Sequence, residues 1–300
     1  SSATGEIRYE EIYNGETIDH RMTKKGWTEP GYKADGWTPV KLTGDGYDNL
    51  VTTQNELVQK HETFAPIKVI TTPKGEKVLD FGQNLVGWVQ VRLKGHAGDT
   101  VKIFHAEVLD KEGNFYTTNL RKAKAEDQYI LSGEGRETFE PHFTWHGFRY
   151  IRVEGIDGPL DPADFTAVTL YSAMPKTGSF KSSDSLINQL QHNIEWGLRG
   201  NFLDVPTDGP QRDERLGWTG DAQVFSRTAT FNMNVNDFFA NGCAMWRPTR
   251  AVMELCHGLY PIVLVFCRAV RAGPTYRPLC RGTCTWPMVI NVSCKLNIRA

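Results

Sequence analysis

Between Asp204 and Asp221 the chain reads DVPTDGPQRDERLGWTGD. These eighteen residues contain five carboxylates, two guanidiniums and one indole, and their prolines and glycines predict a shaped loop rather than a helix face. Cleavage of a glycosidic bond requires one protonated and one ionised carboxyl group, and an indole offers a flat surface for the C–H face of a sugar. The alternative is a solvated acidic loop whose carboxylates pair with the two arginines. Composition alone slightly favours that second interpretation.

The residues on either side of this loop predict helices. After the capping candidate Asp184, apolar residues recur every four positions and indicate an amphipathic helix that ends near Gly200: Leu186, Leu190, Ile194 and Leu198. A second helix is expected to start at Thr219–Asp221 and to run towards Phe231, and Asn236–Asp237 is a candidate cap for a third. Helix, loop and helix, with the functional groups in the loop, is typical of a helical barrel or bundle with its site at one end.

Residues 61–172 carry the pattern of β-strands. Val89, Val91 and Leu93 alternate with polar residues, and short apolar runs separated by Gly-rich turns follow. The runs are Val101–Val108, Asp127–Leu131, Phe148–Val153 and Phe165–Tyr171. Regular short strands of this kind favour an antiparallel β-sandwich.

Three histidines of this region are interpreted as isolated. His105, His142 and His146 have no metal-ligand partner at a useful spacing, so we expect them to be structural or solvated. The sequence therefore predicts neither a metal site nor a cofactor.

Residues 1–60 are polar and are interpreted as the remnant of an N-terminal β domain or as a connector. The chain has no initiator Met and no signal peptide, so its true N-terminus is expected to be missing. No run of 18 or more apolar residues indicates a membrane span. The compartment is left undetermined, since cytoplasm and periplasm fit equally.

The last stretch, residues 242–300, differs from the rest in charge and cysteine content. It holds eight basic residues, one acidic residue and all six cysteines, in a chain whose net charge is −1. Its apolar runs follow neither a helical nor a strand period, and its bases are not clustered as in a nucleic-acid-binding arm. Loss of one nucleotide from the gene near the codons of Ala240–Asn241 would explain this composition. The hypothesis is an aberrant, frame-shifted tail that packs weakly.

The loop Asp208–Asp221 resembles that of the bacterial α-L-rhamnosidases, a family of inverting glycoside hydrolases. The resemblance covers about residues 9–241 and includes Ile12–Thr17, Phe81–Trp88 and Trp145–Tyr150. It implies β-sandwich domains followed by an (α/α)6-barrel catalytic domain, and removal of terminal α-L-rhamnose from glycosides. The expected partners are therefore rhamnose-containing glycosides or oligosaccharides, with no nucleic acid and no membrane.

The same resemblance implies roles for individual residues. Glu214 matches the family's general acid, and four further residues match positions that hold the sugar: Asp208, Arg212, Trp218 and Asp221. Crowding by carboxylates and an indole is expected to raise the pKa of Glu214. Asp213 and Arg215, which flank Glu214, are given supporting roles.

The family's general base is a Glu later in the barrel, beyond the end of this sequence. Glu254, the single acid after residue 241, lies in no family motif and is not assigned as that base.

The expected architecture is a β-domain remnant (1–60), a β-sandwich (61–172), the start of the barrel (173–241) and the aberrant tail (242–300). A chain of this extent is expected to be inactive. The alternatives are another inverting (α/α)6-barrel glycosidase, and a carbohydrate-binding β-sandwich protein without catalysis.

Overall fold

A computed structural model describes residues 2–44, 46–48, 50, 52–53 and 55–245 of the chain. The predicted aberrant tail lies outside these described residues, except for its first four positions, which end the last helix. The strands of the main sheet lie before residue 173 and the α-helices follow, in the order that the sequence patterns predicted.

Ten strands form one sheet in the order β1-β2-β7-β6-β9-β5-β10-β3, with β4 and β8 also paired to β5. Each pairing is antiparallel except that of β2 with β7, which is parallel. The strands are β1 (Ile7–Glu11), β2 (Gly15–Asp19), β3 (Val58–Phe64), β4 (Lys68–Thr71), β5 (Lys77–Lys94), β6 (Thr100–Ala106), β7 (Glu126–Ile130), β8 (Arg136–Phe139), β9 (His146–Glu154) and β10 (Phe165–Ser172).

The first hairpin, β1–β2, belongs to this sheet although it precedes the predicted sandwich in sequence. The carboxylate of Glu16, 1% exposed, accepts hydrogen bonds from the backbone N–H groups of His142 and Phe143. At Gly15 an added Cβ would lie 2.0 Å from the carbonyl oxygen of Glu126, so only glycine lets the two segments approach this closely.

The 18-residue strand β5 connects the two halves of the sheet. Its first residues pair with β4 and β9, and its last residues pair with β10 and β8. The register against β9 shifts between Asp80 and Leu85, where Gly82 adopts a φ of +85°. Strands β2 and β5–β10 contribute to one apolar core, which includes Leu79, Ile103, Tyr129, Phe148 and Phe165.

Within the described residues, three α-helices follow: α1 (Ser185–Asn201), α2 (Thr219–Asn232) and α3 (Asn236–Met245). Asp184 caps α1 as predicted, because its carboxylate accepts from the N–H groups of Leu186 and Ile187. The helix continues through Gly200 for one residue more. A second apolar core joins the helices and includes Met174, Leu198, Phe202, Ala229 and Phe238.

The predicted apolar face of α1 is only partly covered by the described residues. Leu198 is buried, whereas Leu186 and Leu190 are 79% and 58% exposed. No helix in the described part of the chain is both long and apolar enough to span a membrane.

Helix α1 is held against the sheet at its C-terminal half. The ring of Trp196 meets that of Phe64 edge-on at 5.6 Å, and Arg199 pairs with Glu62 at 3.2 Å. A Cβ added to the buried Gly200 would lie 2.9 Å from Cγ2 of Val86, so the helix backbone lies almost directly on β5. These contacts fix the position of the C-terminal end of α1, and therefore the start of the loop that follows it, relative to the sheet.

Candidate active site

The segment after α1 turns sharply and is tied to the sheet. Two short strands, β11 (Phe202–Leu203) and β12 (Val205–Pro206), pair around Asp204, whose φ is +64°. The N–H of Asp204 donates to Oγ of Ser172 at 3.0 Å, and Nδ2 of Asn55 donates to the carbonyl oxygen of Asp204 at 2.9 Å. These bonds hold the turn in a backbone conformation that is unfavourable for a residue other than glycine.

We call residues 207–218 the acid loop. Within it, Gly209 and Glu214 form an antiparallel bridge, and Nε of Arg212 donates to Oε2 of Glu214 at 2.7 Å. An added Cβ on Gly209 would lie 2.8 Å from Nε of Arg212, so the glycine makes room for the guanidinium. Asp208 faces Glu214 within hydrogen-bonding reach of its carboxyl group. The structure thus brings together three of the predicted site residues: Asp208, Arg212 and Glu214.

The other two predicted site residues lie just beyond these three. Trp218 is 43% exposed, and its backbone N–H donates to the carbonyl oxygen of Pro206 at 2.8 Å. Asp221 is exposed in the first turn of α2. The indole surface and this carboxylate are open to a ligand at the end of the acid loop.

The expected raised pKa of Glu214 is wrong for the described part of the chain. The guanidinium of Arg121 donates to Oε1 of Glu214, and this contact, followed by those with Asp208 and Arg212, lowers the pKa of Glu214. Two positive charges therefore outweigh the crowding by carboxylates on which the expectation rested. It is Asp208 whose pKa is raised, because its carboxyl group is partly buried and shares a hydrogen bond with Glu214.

Arg121 was not foreseen from the sequence, because it is 93 residues away from Glu214 and belongs to the sandwich. A second sandwich residue, Glu107, lies close enough to the acid loop to interact with Arg212, and Asn84 contacts Glu107. Nδ2 of Asn84 donates to Oε1 of Glu107 at 2.8 Å, and the charge of Arg212 lowers the pKa of Glu107 against a larger increase from burial. Asn84 lies in the Phe81–Trp88 stretch that carried the family resemblance, which was the one available signal.

Arg215, the residue after Glu214, is buried and faces away from the loop surface. Its guanidinium donates to the carbonyl oxygens of Ile12 and Trp145, and it lies over the rings of Tyr13 at 5.7 Å and Trp145 at 5.1 Å. Only 2% of Arg215 is exposed, and burial lowers its pKa to about 10. Arg215 anchors the acid loop to the sandwich.

Beneath this anchor lies a buried cluster of His105, Asp127 and His146, so the expectation that these histidines are isolated is wrong. His105 and His146 are far apart in sequence, but β6 and β9 are neighbours in the sheet, and the two imidazoles stack at 4.1 Å. Nε2 of His146 and Oδ1 of Asp127 are 3.2 Å apart, and burial raises the pKa of Asp127 to about 6.

The cluster offers three donor atoms within 4.8 Å of one another, which is close enough for a metal ion. Three buried atoms of the cluster have no hydrogen-bond partner among the described residues: Nε2 of His105, Oδ2 of Asp127 and Nδ1 of His146. Burial lowers the pKa of both histidines, and the nearby positive charge of Arg215 lowers it further; the same charge disfavours a cation at this position. His142, by contrast, is largely exposed and is 3.8 Å from the carboxylate of Glu16.

Comparisons with known proteins agree with this arrangement. Three family models match successive parts of the chain: the α-L-rhamnosidase N-terminal domain (1–62), the bacterial α-L-rhamnosidase concanavalin-like domain (70–171) and the bacterial α-L-rhamnosidase 6 hairpin glycosidase domain (175–295). The last range extends into the stretch 242–300 for which the sequence predicted an aberrant tail. The predicted fold class, a β-sandwich followed by the start of a six-hairpin barrel, is confirmed.

Individual relatives of the chain are also α-L-rhamnosidases. An α-L-rhamnosidase of Streptomyces avermitilis is 44% identical over 233 residues, which are 77% of this chain and 23% of that protein. One of Formosa agariphila is 41% identical over 272 residues, or 88% of this chain and 28% of that protein. The chain thus spans about a quarter of the length of these curated relatives.

Two solved structures resemble the fold. The native α-L-rhamnosidase of Aspergillus terreus superposes with a TM-score of 0.79 at 43% identity, over 83% of this chain and 29% of that one. The Streptomyces avermitilis α-L-rhamnosidase complexed with L-rhamnose superposes with a TM-score of 0.77 at 42% identity. The match covers 83% of this chain and 24% of that one. Sandwich, acid loop and helices together match the domain arrangement of the six-hairpin glycosidase class. The chain belongs to the bacterial α-L-rhamnosidase family.

Proposed function

We propose that the protein hydrolyses terminal α-L-rhamnosides with inversion at the anomeric carbon, and that Glu214 is the general acid. The observation that carries this proposal is the contact of Asp208, Arg212 and Glu214 within one loop. The helices that follow belong to the region matched by the six-hairpin glycosidase domain. The proposed substrates are rhamnose-containing glycosides or oligosaccharides.

The geometry suggests how a proton is supplied. Without sugar, Glu214 is held in its ionised form by two guanidiniums, while the neighbouring Asp208 has the raised pKa. The pair therefore retains one proton to a higher pH than an isolated Asp would. A sugar hydroxyl that donates to Asp208 favours the ionised form of Asp208. The proton then resides on Glu214, from which it passes to the oxygen of the leaving group.

The remaining site residues bind the sugar in this proposal. Arg212 and Asp208 offer charged hydrogen-bonding groups, Asp221 offers a carboxylate at the start of α2, and Trp218 offers an apolar surface. Inversion requires a base roughly 6.5–9.5 Å from the acid. We assign none of the residues that the structure describes to that role.

A chimera tests the proposal. Residues 1–241 joined to the remaining six-hairpin domain of the Streptomyces avermitilis relative should release L-rhamnose from 4-nitrophenyl α-L-rhamnoside. Proton NMR during the first turnovers should show the β-anomer of rhamnose before mutarotation. The α-anomer appearing first would refute inversion. A folded chimera that cleaves another aryl glycoside instead would assign the site to a different sugar. Binding of rhamnose without hydrolysis, with the intact relative active, would favour a binding protein.

A further inference from the structure

Arg121 is held in an unusual backbone conformation next to the acid loop. It follows a single 3-10 turn (Thr118–Leu120) and has φ +58° and ψ −112°, a region that residues with a side chain rarely adopt. The neighbouring side chains explain how the conformation is maintained: Leu120 is 1% exposed, and Ala123 and Ala125 are buried with it against Tyr13. Packing on both sides thus directs the guanidinium outwards.

The direction of that side chain is towards the proposed acid. Arg121 contacts Oε1 of Glu214, while Arg212 contacts Oε2, so each carboxylate oxygen has its own guanidinium. One arginine comes from the sandwich and the other from the acid loop. The other charged groups facing this pair are carboxylates: Asp208 and Asp213 interact with Arg121, and Glu107 interacts with Arg212.

Stability alone does not account for this contact. Arg121 is 50% exposed and Glu214 is 20% exposed, and ion pairs between such solvent-accessible groups contribute little to folding. A strained backbone at a residue that gains little stability from its ion pair is typical of functional sites. We propose that Arg121 is a positioning residue, supplied by the β-sandwich, that fixes the orientation of the Glu214 carboxyl group and provides one of its two neighbouring positive charges. This rests on the function proposed for Glu214.

Loss of the Arg121 side chain has a defined consequence. Oε1 of Glu214 loses its donor and one nearby positive charge, so the carboxyl group is free to rotate and binds a proton more readily. The proton shared with Asp208 then moves towards Glu214 before any sugar is present. An arginine that did not contact the Glu214 carboxyl group would change neither property.

The 300-residue chain itself allows the test, with no activity required. Carbon-13 in the glutamate side-chain carboxyl groups reports each pKa by NMR, and Glu214→Gln assigns the Glu214 resonance. Arg121→Gln should raise the pKa of Glu214 by about one unit, the lower end for loss of an opposite charge at contact distance. Arg121→Lys should keep most of the decrease in the pKa of Glu214 that Arg121 causes. Arg136→Gln removes a similarly exposed ion pair, to Asp164, and should leave Glu214 unchanged.

A Glu214 titration that is the same in Arg121→Gln as in the unaltered chain would overturn the proposal. If Arg121→Gln fails to fold, Arg121→Lys takes its place. A lysine is a point charge without the arginine fork, so the chemical shift of the Glu214 carboxyl must still move even though the pKa is largely kept, and an identical chemical shift would again overturn the proposal. Failure of the chimera to cleave rhamnosides would not alter these titrations, so the two proposals fail separately.

Discussion

Glu214 and Arg215 are adjacent in the chain, but their side chains point to opposite sides of the acid loop. The carboxylate of Glu214 remains 20% exposed between Arg121 and Arg212, whereas Arg215 is inserted into the sandwich. Glu214 presents its carboxyl group at the loop surface, and Arg215 fixes the backbone that carries it. This alternation explains why a loop rich in glycine and proline can hold the proposed acid in one place.

Replacement of Glu214 by Gln tests the role of the acid. In the chimera proposed above, the variant keeps the shape of the side chain but cannot donate a proton, so the rate on a poor leaving group should fall at least about a hundredfold. A 4-nitrophenyl substrate should be affected less, because its leaving group needs less protonation. Equal slowing of both substrates would point to another acid, with Asp213 as the next candidate.

Asp208→Asn should weaken sugar binding. Each hydrogen bond from a sugar hydroxyl to a charged carboxylate contributes about 1.5–3 kcal/mol, so KM should rise by roughly one to two orders of magnitude. Asp237→Asn, in an exposed position at the start of α3, is the matched control and should leave KM unchanged. An unchanged KM in Asp208→Asn would remove this residue from the sugar site.

Arg215→Met should destabilise the chain strongly. The variant leaves the carbonyl oxygens of Ile12 and Trp145 without their donor and removes the positive charge near Asp127, so we expect a loss of about 3–5 kcal/mol in urea unfolding. Arg136→Met, which breaks an exposed ion pair, should change stability by less than about 1 kcal/mol. Comparable effects in the two variants would contradict the assignment of Arg215 as an anchor.

The buried histidines should make the fold sensitive to acid. Burial lowers the pKa of His105 to about 3, so below pH 6.5 the unfolded chain binds a proton there that the folded chain does not. The stabilising contribution is present above pH 6.5 and is lost as the pH falls, by about 2 kcal/mol between pH 7.5 and 5. Asp127 acts in the opposite direction: its pKa is raised to about 6, so its contribution is lost as the pH rises towards 6.

His105→Asn checks this explanation, because asparagine can still donate to the carbonyl oxygen of Ala125 but does not titrate. Urea unfolding at pH 7.5 and 5 should show a smaller pH dependence in this variant. The exposed His96→Asn is its control and should behave like the unaltered chain. An undiminished pH dependence in His105→Asn would assign the acid sensitivity to other groups.

Two glycines of α1 test how the helix lies on β5. Gly197→Ala adds a methyl group in open space and should stabilise the helix by about 0.5–1 kcal/mol. Gly200→Ala places its methyl group 2.9 Å from Cγ2 of Val86, a stiff buried side chain, and should cost about 1–3 kcal/mol. Thermal unfolding of both variants gives the comparison, and equal effects would mean that the helix does not contact β5 as described.

Features encoded by neighbouring residues could be predicted from the sequence. The Asp184 cap, the alternation in β5 and the start of α2 each depend on a few adjacent positions. The approach of Arg121 to Glu214 and the stacking of His105 on His146 depend instead on strand order, for which the sequence has no local signal. The direction of the Glu214 pKa was therefore wrong, since it depends on a distant arginine.

The parallel pairing of β2 with β7 has a consequence for how such proteins evolve. The hairpin completes a sheet made mostly of later residues, and Glu16 satisfies the backbone of His142 and Phe143. Exchange of the residues before β3 as an independent unit would replace β1 and β2 of the sheet and remove the partner of those N–H groups. Recombination between family members is therefore expected to preserve the N-terminal segment and the sandwich as one inherited unit, with crossovers tolerated after β10 rather than before β3.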